Sequence, residues 1–301
     1  MLRKVIKLGD ETLVVSLPSA WAKQHKLKKG DELEAEETGP KLVLYPKSEA
    51  NHGKTSIDVS GCKPMIKRIL GALYKAGYDE FEVGFVTAEE LASVKEVMGE
   101  FVGFEIINEG KNAVVIKNIS HIIPDEFGNI QRKIVFVIIT MAKEGLAAAT
   151  AKNWEKLRFT ASMDADVNRY ADFCRRILNT VGHRVVKRVP PAYYIIEQLE
   201  KIGDSYRDIC LYIAANNLGL GSDLKAAYDK VTKLLEKFLK VYCDFGIHGI
   251  TEFAKMHYEL SPELEKLLRK VDKRELPVLV LLKTAENDIF DLNGAVMAEK
   301  L

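Results

Sequence analysis

No apolar run in the chain is long enough to cross a bilayer. The longest, 134–141 and 276–282, fall far short of the ~20 residues that a spanning helix requires. Cysteine is scarce: Cys62, Cys174, Cys210 and Cys243 lie far apart in 301 residues, and none stands in CxxC spacing. That excludes a zinc ribbon or dithiol redox pair and suits reduced, buried thiols. Charge of one sign is also lacking. With 44 Lys and Arg against 43 Asp and Glu, no global field draws the chain to nucleic acid or membrane, so any such attraction must come from a local patch. The motifs GxGxxG, GxxxxGK[ST], HExxH and GxSxG are all missing, which removes the usual signatures of nucleotide binding and hydrolysis. The six histidines, His25, His52, His121, His183, His248 and His257, are scattered, none at ligand spacing, and are expected to be surface or structural residues. Nothing here points to an enzyme. Arg3 and Lys4 are not followed by a secretory apolar core, so a soluble cytoplasmic protein without membrane insertion is expected.

Three compositional blocks remain: 1–47, 48–122 and 123–301. In the first, Val5-Ile6 and Thr12–Leu17 are β-prone runs separated by Gly9-Asp10, a hairpin signal. Pro18 breaks the second run. Ser19 is placed to cap a short helix to His25, and Gly30 is suited to a left-handed cap behind it. A second hairpin, 32–36 with 41–45, turns about Thr38-Gly39-Pro40 and ends at Pro46. Two hairpins and one short helix cannot bury a core alone. The roughly alternating Leu13, Val15, Leu17, Leu33, Leu42 and Leu44 need a second sheet, which exchange of hairpins in a homodimer would supply.

The second block predicts a small α/β domain. It holds an amphipathic helix over 63–76 with Ile66, Ile69, Leu70 and Leu73 on one face, a stop at Gly77, and a strand over 81–85. A helix over 87–101 follows, opened by a Thr87/Glu90 capping box, and then strands 105–108 and 113–117. The third block is almost all helical. Segments near 127–151, 154–184, 191–218, 222–259, 262–273 and 276–300 are separated at Asn153, Pro190-Pro191, Gly219-Leu220-Gly221 and Ser261-Pro262. Six segments suggest an antiparallel bundle of two three-helix units. Cys174 and Cys210 fall on apolar helix faces, and Trp154 is read as packing.

Lys4–Gly9, then Val14-Val15-Ser16-Leu17-Pro18 with Trp21, then Leu27-Lys28-Lys29-Gly30-Asp31-Glu32-Leu33 resemble the AbrB/SpoVT swapped-hairpin family. The resemblance implies a dimeric β-barrel whose first strand and adjoining loop offer basic residues to DNA, here Arg3, Lys4 and Lys7. Lys23, Lys26, Lys28 and Lys29 form a second basic cluster beside His25, and Glu32, Glu34, Glu36 and Glu37 form an acidic strand that would repel phosphate. Cations doubled by a two-fold axis neutralise several phosphates and release counterions. The competing reading is a solvated lysine face on a module that only dimerises.

In the bundle, Glu200, Asp204 and Asp208 share one helix face at i, i+4 spacing, and Asp164 and Asn168 do so on the preceding helix. On facing antiparallel helices such rows gather oxygen ligands for a cation. The alternative is an exposed face whose carboxylates pair with Arg207 or Lys201, and Asp166 and Asp172 are expected to face solvent. Leu199-Glu200-Lys201-Ile202-Gly203-Asp204-Ser205-Tyr206-Arg207-Asp208-Ile209 resembles the LERIGDHxxNI motif of PhoU-type phosphate-uptake regulators, and 164–170 corresponds to their second acidic motif. The resemblance implies two three-helix repeats and a divalent or iron/zinc cation held in the first repeat by Asp164, Asn168, Glu200, Asp204 and Asp208. Departures weaken it. Asn168 replaces a carboxylate, and in the second repeat Lys283 stands opposite Glu200 and Asn287 opposite Asp204, with only Asp291 matching Asp208. At most one cation site is expected.

The order of an AbrB-like module, an α/β insert and a PhoU-like bundle implies a regulator of phosphate uptake. Its bundle would dock the phosphate transporter's ATPase subunit or a signalling kinase, and its N-terminal module would dimerise the chain and contact DNA. The alternative is a dimeric scaffold for the transporter without DNA contact. A third reading, from helix-strand order alone, makes the α/β insert a small-effector sensor of the ACT type.

Overall fold

A computed structural model of the full chain describes residues 2–9, 11–38, 41–46, 53–120, 126–185 and 188–301. Asp10, Gly39-Pro40, His52 and His121, on which turn and histidine expectations fell, lie outside the described residues, as do the boundaries at 47/48 and 122/123. The chain divides into two compact units, 1–53 and 54–301.

In the first unit β1 (Val5–Leu8) pairs antiparallel with β2 (Thr12–Val15), α1 spans Ser19–Gln24, and β3 (Leu33–Thr38) pairs antiparallel with β4 (Lys41–Pro46). Both hairpins stand where the turn signals put them. The helix ends differ from expectation. Ser19 is the first helical residue, the cap position is Pro18, and no side chain caps it. Its C-terminal end comes at Gln24, with Lys26 at φ 53 as the left-handed residue, while Gly30 at φ 96 serves the later turn before β3.

In the second unit the four-stranded sheet has the order β5 (Lys54–Asp58), β6 (Glu80–Gly84), β8 (Ala113–Asn118), β7 (Phe104–Glu109). Only β5 and β6 run parallel, joined through α2 (Ile66–Ala76). Sequence reading missed β5: Lys54-Thr55-Ser56-Ile57-Asp58 is a polar edge strand with one strong apolar residue, and its pairing with β6 leaves no hydrophobic pattern. Phe81 faces Ile116 and Val83 faces Val114 across β6 and β8, all fully buried beneath α2 and α3 (Ala88–Val97). Alternate residues of these strands, Glu82 and Val115, are more open, so one sheet face is covered. Gly77 ends α2 at φ 99, and Thr87 and Glu90 form the reciprocal capping box.

The bundle has seven helices among the described residues where six segments were expected: α4 (Phe127–Thr150), α5 (Trp154–Ser162), α6 (Asp164–Val185), α7 (Val189–Ala215), α8 (Ser222–Cys243), α9 (Ile247–Leu268) and α10 (Leu276–Lys300). The expected 154–184 helix breaks at Met163, where three-residue turns replace the α-helical ladder and Asp164 opens a new helix with carboxylates in its first turn. The expected break at Ser261-Pro262 is absent. Helix α9 runs through Pro262, and the true break is 244–246. Pro190 and Pro191 sit at the start of α7, where a missing N–H costs nothing. One continuous core runs through α4 to α10, with Cys174 and Cys210 fully buried in it. Cys62 is only half-buried and Cys243 is exposed, so the expectation of four buried thiols holds for two. Among the described residues, no helix is long and apolar enough to cross a membrane.

The α/β layer is fastened to the bundle by Arg176 of α6. Its guanidinium is 1 % exposed and donates from Nη1 to the carbonyls of Tyr74 (2.8 Å) and Tyr78 (2.9 Å), at the C-terminal end of α2. Nη2 lies 2.5 Å from Asp79 Oδ1. A cation suits that position, because a helix C-terminus concentrates unpaired carbonyls and negative dipole. Asn179 donates to Lys75 O at 2.8 Å one turn further on, and Phe173 packs against both cores.

Candidate functional site

In the first unit Arg3 and Lys4 precede β1 and Lys7 lies within it, its Cα paired with that of Leu13. All three side chains are exposed. Direct cross-strand partners share a face, so Val5, Lys7, Leu13 and Val15 occupy one side of the hairpin and Ile6, Leu8, Thr12 and Val14 the other. Both sides are mainly apolar, with exposed side chains on each. Val5 is 66 % exposed, Ile6 55 %, Leu8 64 % and Leu13 68 %. Fully burying such a side chain stabilises by about 1.5–3 kcal/mol, so this hairpin stands to gain on the order of 10 kcal/mol from a partner surface. Beside the second basic cluster, the Trp21 ring lies 4.9 Å from that of His25. The side chains of Glu34 and Glu36 in the acidic strand lie outside the described residues.

In the bundle, the five residues expected to share one site separate into two groups, each centred on an arginine. Asp164, at the start of α6, faces Asp204 and Asp208 of α7, and Arg207 lies between them. Its Nη1 is 2.9 Å from Asp164 Oδ2 and also contacts Asp204 Oδ1, while Nη2 is 2.9 Å from Asp208 Oδ1. Arg207 Nε donates to the same Asp208 oxygen at 2.9 Å. Asn168 Nδ2 donates to Asp164 Oδ2 at 3.1 Å. Burial raises the Asp164 carboxyl above the usual range, against the pull of Arg207 and Asn168. Burial disfavours charge on Arg207 too, but hydrogen bonds and the charges of Asp164, Asp208 and Asp204 outweigh it and hold the guanidinium firmly protonated.

Glu200 belongs to the other group. Arg175 of α6, its side chain 4 % exposed, contacts Glu200 Oε2 and lies 2.5 Å from Glu197 Oε1 and 2.6 Å from Asp172 Oδ1. Asp172 also lies 3.3 Å from Lys75 Nζ of α2. It is therefore a half-buried bridge to the α/β layer and not the solvent-facing residue expected. Asp166 is half-exposed and pairs with Arg169 at 2.8 Å. Burial raises the Glu200 carboxyl, with Arg175 opposing.

Sequence reading missed Gly203. A Cβ there would stand 3.0 Å from Val167 Cγ1 and 3.3 Å from Asp164 Oδ1, so the glycine is what lets α6 and α7 approach closely enough to join the two acidic rows. It also missed Glu286 of α10. This fully buried carboxylate lies 3.0 Å from Lys283 Nζ and contacts His257 Nδ1, and Lys283 also reaches Ser261. The His257 ring stacks on Phe290 with centroids 3.7 Å apart.

A cation bound by the acidic residues of α6 and α7 would need oxygen ligands at roughly 2.0–2.6 Å. The Arg207 guanidinium already sits among these carboxylates, taking one oxygen of each of Asp164, Asp204 and Asp208, and Glu200 is engaged elsewhere. Among the described residues no group of three or more His, Cys, Asp or Glu side chains is arranged to hold a metal ion. The acidic rows as they stand do not fit a bound cation.

Residues 6–51 match the family model described as antidote-toxin recognition MazE, bacterial antitoxin. The N-terminal segment is MazE/AbrB-like. The crystal structure of the phosphate transport system regulatory protein PhoU from Streptococcus pneumoniae is similar to this chain at a TM-score of 0.42 and 14% identity, over 59% of this chain and 94% of that one. No curated protein matches the chain.

Proposed function

We propose that the chain is a dimeric DNA-binding regulator of phosphate uptake, acting in the cytosol by binding and not by catalysis. The observation that carries this reading is the N-terminal hairpin. Two mainly apolar faces carry the exposed Val5, Ile6, Leu8 and Leu13, and three exposed cations, Arg3, Lys4 and Lys7, lie at the start of and along the same strand. A partner chain that covers the hairpin doubles the cations about the two-fold axis and sets them at the spacing of the dimer. The MazE/AbrB-like match over 6–51 supports this use of the module. The phosphate assignment rests on the resemblance of 199–209 and 164–170 to the acidic motifs of phosphate-uptake regulators, and on the grouping of those two segments on facing helices α6 and α7. In this reading the bundle receives the signal by docking a transporter subunit or signalling partner, and the paired modules are its output.

Contacts from lysine and arginine to phosphate position a protein without selecting sequence, and each released counterion steepens the salt dependence of binding. Fluorescence anisotropy on duplex DNA across a salt titration tests the proposal with wild type and the Arg3→Ala/Lys4→Ala double variant. The variant removes four phosphate contacts per dimer, so the slope of log affinity against log salt falls by about 3 to 4. Binding with the same affinity and slope in both proteins sinks the DNA assignment. Absence of binding in wild type, with copurification of a transporter ATPase subunit, supports the scaffold instead.

A further inference from the structure

The resemblance of α6 and α7 to metal-binding acidic motifs and the geometry of those helices disagree, and the disagreement is informative. Three carboxylates from two helices converge, as they do around a cation. One of them, Asp164, is 4 % exposed, and its Oδ1 is buried with no hydrogen-bond partner among the described residues. Such a carboxylate is costly to bury unless a positive charge faces it. The charge that faces it belongs to Arg207, one residue before Asp208 in the same row.

We propose that Arg207 is a tethered cation that takes the place of a bound metal ion, so that the chain itself holds the acidic faces of α6 and α7 together. The guanidinium suits this task better than an ammonium. Its fork of donors reaches Asp164 and Asp204 from one nitrogen and Asp208 from the other two. Asp204 and Asp208 are 41 % and 46 % exposed, so water solvates the negative charge that one guanidinium leaves over. A dication added to this site would meet a like charge within the coordination distance of its ligands. The second repeat uses the same device with a different residue. There Lys283 stands at the position corresponding to Glu200, and its ammonium neutralises the fully buried Glu286. Both repeats thus carry their own cation, and the bundle needs none from solution.

The test compares full-length wild type, Arg207→Gln and Arg207→Gln/Asp208→Asn. Each is supplemented with manganese, iron, zinc or magnesium, desalted, and taken to elemental analysis and thermal unfolding with and without EDTA. Wild type is expected to retain no stoichiometric metal and to melt at the same temperature in EDTA. Arg207→Gln leaves three carboxylates without their cation. It should melt lower by about 5 °C and recover part of that loss on adding metal, with about one ion bound per chain. The added Asp208→Asn should abolish the recovery, which a purely structural role for Arg207 would not predict. If Arg207→Gln fails to fold without metal, recovery of its fold on adding a divalent cation is the same positive result. Stoichiometric metal in wild type, a lower melting temperature of wild type in EDTA, or an Arg207→Gln protein indifferent to every cation overturns the proposal.

Discussion

Replacing Arg176 by methionine tests how the α/β layer is held to the bundle. Methionine keeps much of the side-chain volume but donates no hydrogen bond. The half-buried carbonyl of Tyr78 then loses its guanidinium partner, and the buried carbonyl of Tyr74 is left with the 3.2 Å bond from Gly77 N–H. Leaving a buried acceptor unsatisfied costs about 1–3 kcal/mol. Asp79 loses less, because it is half-exposed and Asn118 still donates to it at 3.1 Å. The guanidinium also lies over the rings of Phe104 (4.7 Å) and Tyr74 (5.3 Å), a contact that contributes about 1–2 kcal/mol when desolvated. Burial lowers the pKa of Arg176, so removing the charge relieves part of a desolvation penalty and offsets some of the loss. The net destabilisation is about 3 kcal/mol, or roughly 10 °C in melting temperature for a unit of this size. Circular dichroism on heating reads the shift, and hydrogen exchange should rise first at 74–79 and 172–179. Arg176→Lys keeps the charge but not the fork and should fall between. A methionine variant within about 1 kcal/mol of wild type refutes the reasoning, because that margin is below the cost of even one stranded buried carbonyl.

Three further outcomes follow from the same geometry. Leu13→Glu places a charge on the apolar face shared with Val5 and Val15 and removes about 2 kcal/mol of burial from each half of a dimer. Sedimentation velocity should therefore show dimer association weakened by about a thousandfold, and an unchanged dimer would count against exchange through this hairpin. Glu90 accepts from the backbone N–H groups of Gly61 (2.7 Å), Val86 (2.9 Å) and Thr87 (2.9 Å), which hold its carboxyl down to about 2. A depressed carboxyl stabilises the fold above its ordinary value and loses that contribution as pH falls through its folded value. Acid titration of stability should thus be steeper in wild type than in Glu90→Gln between about pH 4.5 and about pH 2, and equal slopes would rule the contribution out. Gly145→Ala, which on an exposed helix would stabilise by about 1 kcal/mol, should destabilise here by about 1–3 kcal/mol. Its Cβ would stand 2.9 Å from both Cys210 Sγ and Tyr228 Oη, and a raised melting temperature would show that α4 has room to move.

Much of this architecture was legible because local signals and global packing agree. Gly77, the Thr87/Glu90 box, Asn153 and Pro190-Pro191 each mark an element boundary through their own backbone chemistry. What escaped has physical reasons. Strand β5 is polar and takes its stability from pairing with β6. Pro262 reads as a breaker, yet α9 continues through it. The acidic rows were found by spacing, and four of the five residues do converge, because i, i+4 periodicity aligns them whatever neutralises them. Spacing is silent on which cation sits in the middle. The tilt that swings Arg207 between Asp164 and Asp208 and gives Glu200 to Arg175 depends on how closely α6 approaches α7, which Gly203 sets. The trio of half-buried Lys283 with buried His257 and Glu286 was invisible for a related reason: its members come from two helices and share no motif.

The proposed function has the paired N-terminal modules bind DNA in the service of phosphate uptake. Genome-wide mapping of bound DNA in cells grown with scarce and with plentiful phosphate tests it most directly, with the Arg3→Ala/Lys4→Ala protein as control. Sites are expected near genes of phosphate transport, occupied to different extents in the two conditions and lost in the double variant. Absence of enriched sites in both conditions, or sites that the double variant still occupies, would contradict it.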